Sequence, residues 1–114
     1  MSTNKTEVKT EIKAGMNTKL VALSPQQAQL SGRLDRLTGK ELLTQGRRLI
    51  ANSGTNWQVD LAGVEHSSSV GIALLLDWLR YSQRKNVSLE LLNVPQKMQD
   101  VIEFSGLTDV FNLS

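Results

Sequence analysis

The chain has 114 residues, 39% of them apolar and 21% charged, with a formal net charge of +2. That length holds one hydrophobic core, and two would need more chain. The lack of any cysteine excludes a disulfide framework, a thiolate metal site and a cysteine nucleophile, and the small charge, with no dense basic stripe, excludes a dedicated nucleic-acid binder.

Residues 1–16 are expected to form a solvated, disordered tail ahead of a domain over residues 17–114. Up to Gly15 the only apolar side chains are Met1, Val8, Ile12 and Ala14, set among lysine, threonine and glutamate. No apolar core follows the lysines, so the segment is not a secretory signal. Lys19 to Leu23 reads as a strand, and Ser24-Pro25-Gln26-Gln27 breaks it. Ala28 to Leu34 alternates with period two, so that Ala28, Leu30, Gly32 and Leu34 share a face. The short break predicts an antiparallel hairpin. Thr38-Gly39-Lys40-Glu41 fits a capping box. Leu42, Leu43, Leu49 and Ile50 then give a one-sided helix, weakened at Gly46 by up to about 1 kcal/mol relative to alanine. Asn52-Ser53-Gly54 stops it.

Trp57 to Leu61 is the third strand, and Gly63 to Ser68 reads as a loop. A second helix is expected over Ser69–Lys85, with Gly71, Ile72, Leu75, Trp78 and Leu79 facing the sheet. Val87 to Leu92 is a fourth strand. Pro95 opens a third helix from the first-turn place that proline favours. Its apolar stripe is Met98, Val101 and Ile102. Gly106 ends this helix, and one more short turn is expected between Leu107 and Leu113. An opening hairpin followed by alternating strands and helices implies an α/β fold with a mixed sheet. The longest apolar run, Val70 to Leu76, is seven residues, far short of the about 20 a membrane helix needs. A soluble cytoplasmic protein without direct membrane insertion is expected.

The richest chemistry lies where the third strand meets the second helix, at His66-Ser67-Ser68-Ser69. A serine here caps the helix, a contribution of about 1 kcal/mol, or serves as a phosphorylation or partner-contact point favoured by free amides and the helix dipole. Catalysis is not expected. The frame Ser67-Ser68-Ser69-Val70-Gly71 lacks the first glycine of a nucleophile elbow. There is no phosphate-cradling glycine loop. His66 is the one histidine, which leaves only carboxylates to complete a zinc site, a poor set. No cofactor or metal is therefore expected. The first two turns of the second helix are apolar nearly all round. That pattern suits either cover by a neighbouring helix or a docking partner. Ser69, Ala73 and Arg80 stack along one side, flanked by Leu76 and Asp77.

Four pieces in order over about 90 residues resemble the sulphate-transporter and anti-sigma-factor-antagonist (STAS) domain. They are Ser31-Gly32-Arg33-Leu34-Asp35, Val59-Asp60-Leu61-Ala62-Gly63-Val64, Ser68-Ser69-Val70-Gly71-Ile72-Ala73-Leu74, and Phe104-Ser105-Gly106-Leu107-Thr108-Asp109-Val110-Phe111. The resemblance implies a four- to five-stranded mixed sheet with helices mainly on one face, and a non-enzymatic interaction domain. Two branches of the family fit. In anti-sigma-factor antagonists a serine-kinase anti-sigma factor phosphorylates the serine that Ser69 matches. Ser68 stands where that branch has aspartate, and the strand-two aspartate is kept as Asp35. Ser69, Ser68 and Asp35 are thus the implied switch residues. The second branch is the MlaB type, small cytoplasmic subunits of a phospholipid ABC transporter that maintains outer-membrane lipid asymmetry. Gly71-Ile72-Ala73-Leu74-Leu75-Leu76 resembles that branch's helix more closely, although Val70 replaces a glycine. This second resemblance implies binding to the transporter's ATPase subunit, through Ser69, Ala73, Leu76, Asp77 and Arg80, and a peripheral place at the inner membrane through the complex.

Overall fold

The computed structural model describes residues 10–13, 18–67 and 69–111. Among them run β1 (Thr10–Lys13), β2 (Lys19–Ser24), β3 (Gln27–Leu34), α1 (Arg36–Ala51), β4 (Asn56–Ser67), α2 (Ser69–Arg84), β5 (Ser88–Leu92) and α3 (Gln96–Phe104). The strands form a five-stranded mixed sheet in the order β1-β2-β3-β4-β5. The first two pairings are antiparallel and the last two parallel.

The predicted hairpin is present, with Leu20 opposite Leu30 and Ala22 opposite Ala28. Buried Thr18 pins its open end: the hydroxyl donates to the Arg33 carbonyl at 2.9 Å and accepts from the Arg33 amide at 3.2 Å. The period-two pattern of β3 decides which face is covered. Ala28, Leu30, Gly32 and Leu34 are buried, whereas Gln27, Gln29 and Arg33 are exposed. Because β3, β4 and β5 are laid down side by side in chain order, right-handed crossovers bring α1 and α2 to the same face. The other face is a polar surface in which Gln27 donates to Gln58 and Gln58 to Glu90 across three strands.

The core lies between the sheet and the helices. Leu20, Leu30, Leu61, Leu75 and Ile102 are fully enclosed, each stabilising the fold by about 1.5–3 kcal/mol. Trp57 of β4 meets Trp78 of α2 edge to face, with ring centroids 5.5 Å apart. Trp57 is therefore a packing residue, as its place on the strand predicts.

Several expectations need correction. Residues 10–13 of the expected tail form β1, paired with β2; the rest of that segment lies outside the described residues. The capping box sits one turn earlier than predicted. Asp35 is the N-cap and accepts from the Leu37 amide at 3.0 Å, while the Thr38 hydroxyl accepts from the Asp35 amide at 3.1 Å. Thr38 is thus the third helical residue, not the cap. The loop expected from Gly63 is strand through Ser67, because β3 offers a parallel partner as far as Leu34. Gly63 serves that strand directly, since a Cβ there would lie 2.7 Å from the Ser31 Cβ. Pro95 is the N-cap of α3 and precedes its first turn. Met98 and Ile102 are buried as expected, but Val101 is 40% exposed. Gly106 ends the α3 region at φ +75°, and the Phe111 amide closes the further short turn on the Leu107 carbonyl.

Gly46 also reverses its reading. A Cβ at this buried position would fall on the Trp78 indole. The glycine is what lets α1 and α2 pack this closely, and the Trp78 Nε1 donates across the contact to the Leu43 carbonyl at 3.3 Å.

Candidate partner-binding site

The parallel strands end at one edge of the sheet, and the helices start there. Leu34 pairs with Ser67, so Asp35 at the start of α1 and Ser69 at the start of α2 follow neighbouring strand ends. Asp35 is occupied: besides its cap, it lies 3.7 Å from Arg33 in an ion pair. Ser69 is exposed and is the first residue of α2. Ser68 and the His66 and Ser67 side chains lie outside the described residues.

The residues grouped on α2 divide by what they touch. Ser69, Ala73 and Arg80 are exposed along one side of the helix. Leu76 is half-buried against the core. Asp77 is held by α1, accepting from Arg47 Nε at 2.9 Å and from Nη2 at 2.6 Å. This bidentate geometry is the strong form of the contact. Its hydrogen bonds hold the Arg47 guanidinium above its ordinary pKa, so Arg47 is a fixed cation. Near the end of α1, it ties that helix to α2. Arg84 and Lys85 likewise face the Tyr81 ring, which Arg47 also approaches.

The apolar excess at the start of α2 is shared between cover and exposure. Leu74 is buried. Val70 presses on α1 at Gly39, where a Cβ would lie 2.9 Å from Val70 Cγ1. Above this contact the two helices leave an open notch of about 340 Å³, lined by Arg36, Gly39, Lys40, Leu43, Val70, Ala73 and Leu74. The predicted partner-binding residues include none from α1. Its signal was present in the sequence: Arg36, Lys40, Leu43 and Arg47 recur at helical spacing. Among the described residues no group of three or more potential metal ligands comes together, and no helix is long and apolar enough to cross a membrane.

The family model described as "MlaB, STAS domain" matches residues 21–113. The chain belongs to this STAS family. Solved structures agree on the fold. An anti-sigma-factor antagonist from Mycobacterium paratuberculosis aligns with a TM-score of 0.69 at 20% identity, over 91% of this chain and 89% of that one. The anti-sigma-factor antagonist SpoIIAA in its unphosphorylated form aligns with a TM-score of 0.61 at 19% identity, over 76% of this chain and 82% of that one. Sequence comparison with curated proteins gives no match. STAS membership makes this an interaction domain, and the exposed side of α2 is the place on it where small, apolar and cationic groups meet.

Proposed function

We propose that this STAS domain is a non-catalytic subunit that binds and regulates the ATPase of an ABC-type phospholipid transporter maintaining outer-membrane lipid asymmetry. It works in the cytoplasm, peripheral to the inner membrane through the complex. The observation that carries this reading is the match to the MlaB-type family model across residues 21–113. The docking face is Ser69, Ala73, Leu76, Asp77 and Arg80, completed by the α1 side of the notch. Ser69 and Ala73 are small and exposed, which lets a partner backbone approach closely. Asp77 contributes by fixing Arg47 at the edge of the face.

The test is titration of the chain with an ABC ATPase subunit from the same cell, by calorimetry. Ser69→Glu and Ala73→Arg place charge or bulk where the interface closes. A buried unpaired charge costs several kcal/mol, so a loss of about 100-fold or more is expected, with the melting temperature unchanged. Lys97→Glu, exposed on α3 and away from this face, binds as wild type. Wild-type affinity for Ala73→Arg would remove this face from the interface.

A second reading is favoured by two of the structural neighbours, both anti-sigma-factor antagonists. In it, phosphorylation of exposed Ser69 controls binding to a serine-kinase anti-sigma factor. A neighbouring kinase gene and phosphate on Ser69, found by mass spectrometry of protein from its native cell, would select this reading over the transporter.

A further inference from the structure

The notch at the start of the helices is one end of a longer feature. α1 and α2 run in the same direction: Gly39 faces Val70, and about two turns on Gly46 faces Trp78 and Arg47 holds Asp77. Beyond the notch the same seam opens again, into a hollow lined by Arg47, Asp77, Arg80, Gln83 and Arg84. The two ends differ in chemistry. The first offers Leu43, Val70, Ala73 and Leu74 between Arg36 and Lys40. The second is dominated by guanidinium groups.

The charge along the seam is one-sided. Arg36, Lys40, Arg47, Arg80 and Arg84 oppose the single carboxylate of Asp77, a net charge of four positive. The whole chain carries only +2, so everything outside the seam is net negative by two. The cationic end is also crowded. Arg47, Arg84 and Lys85 all lie 5.3–5.6 Å from the one Tyr81 ring. Three cations gathered about one ring repel one another across it, and Asp77 is already bonded to Arg47. Added carboxylates relieve that repulsion, whereas added cations worsen it.

We infer that the α1–α2 seam docks an acidic segment of a protein partner, with one apolar side chain in the notch at Val70 and Ala73 and carboxylates on Arg80 and Arg84. From the Val70–Ala73 level to the Arg80–Arg84 level α2 rises about 16 Å. The apolar anchor and the acidic cluster are therefore separated by about five residues in an extended segment or about ten in a helical one. A concave seam suits a chain segment. A flat lipid surface meets protrusions and leaves a groove between helices unfilled. The inference shares its face with the proposed ATPase contact and adds the chemistry of the segment that fills it.

The test uses the intact chain alone. Random peptides of about 12 residues displayed on phage are selected on wild type, and the enriched ones are synthesised and measured by fluorescence anisotropy. Enriched peptides should carry Asp or Glu clusters beside one Leu, Phe or Trp at one of the two spacings. Their binding should fall at least about 10-fold with Arg80→Glu/Arg84→Glu, with Ala73→Arg, and on raising salt from about 50 to about 300 mM. Neutral or basic winners overturn the inference, as do winners indifferent to both variants. So does a selection yielding nothing while phosphatidylglycerol vesicles sediment the wild type and not the charge-reversed variant. If the ATPase binds wild type and Arg80→Glu/Arg84→Glu equally but not Ala73→Arg, the acidic segment is refuted and the transporter reading stands.

Discussion

Replacing Gly46 with alanine adds one methyl group to the side of α1 that meets α2. In an exposed helix interior this change stabilises by about 1 kcal/mol. Here the methyl would land on the Trp78 indole. The ring has nowhere to swing, because it is fully buried, packed edge to face on Trp57, and hydrogen-bonded to the Leu43 carbonyl. Overpacking a well-filled core costs about 1–3 kcal/mol, and a ring held on two sides belongs at the upper end. Set against the helix gain, the net loss is about 2 kcal/mol, or about 10 °C in melting temperature for a domain of this size. Urea and thermal unfolding of wild type, Gly46→Ala, Trp78→Leu and the double variant measure it. Trp78→Leu alone loses about 2–4 kcal/mol. In that background the alanine has room, and its effect becomes neutral or stabilising, a coupling of about 2–3 kcal/mol. If Gly46→Ala stabilises the otherwise wild-type protein, the close approach of α1 and α2 is not what selects glycine.

The remaining predictions concern Asp35 and α3. Asp35→Ala removes a helix cap and should lower stability by about 1 kcal/mol in urea unfolding, while leaving ATPase affinity within about twofold, which is about 0.4 kcal/mol; a larger binding loss would make Asp35 a contact residue. Ile102→Ala empties a fully buried site and should destabilise by about 2–5 kcal/mol, against less than about 0.5 kcal/mol for Phe104→Ala, whose side chain is 94% exposed.

Much of the architecture was legible because burial on one side of the sheet imposes period two on β3 and a single stripe on α2. The parts that were missed depend on information the local pattern does not carry. Thr38-x-x-Glu41 and Asp35-x-x-Thr38 overlap, and both satisfy cap chemistry. Only the end of β3 at Leu34 decides between them. Ala62-Gly63 looks like a break, yet β4 continues because its parallel partner does, with bulges in the pairing taking up the offset. Thr10–Lys13 has the composition of a solvated chain, and its strand exists through pairing with β2. Ser69, Ala73 and Arg80 emerge on the predicted side of α2. Asp77 and Leu76 were placed there too, but a carboxylate committed to Arg47 and a leucine half within the core could be recognised only with α1 and the sheet in place. The switch role implied for Asp35 meets a side chain already engaged in a cap and an ion pair.

The tie between α1 and α2 has a kinetic consequence. Three fastenings hold the pair at one spacing: the Gly46–Trp78 contact, the Trp78–Leu43 hydrogen bond and the Arg47–Asp77 fork. A surface set in advance loses little conformational freedom when a partner arrives. Encounters then proceed without rearrangement on this side, at ordinary docking rates of about 10⁵–10⁷ M⁻¹s⁻¹ or faster where opposite charge steers them. Substitutions along the two helices will accordingly register as changes in how long a complex lasts far more than in how fast it forms. A lineage that exchanges one partner for another has to do so by altering side chains on a fixed frame, because the distance between the helices is set from within the core.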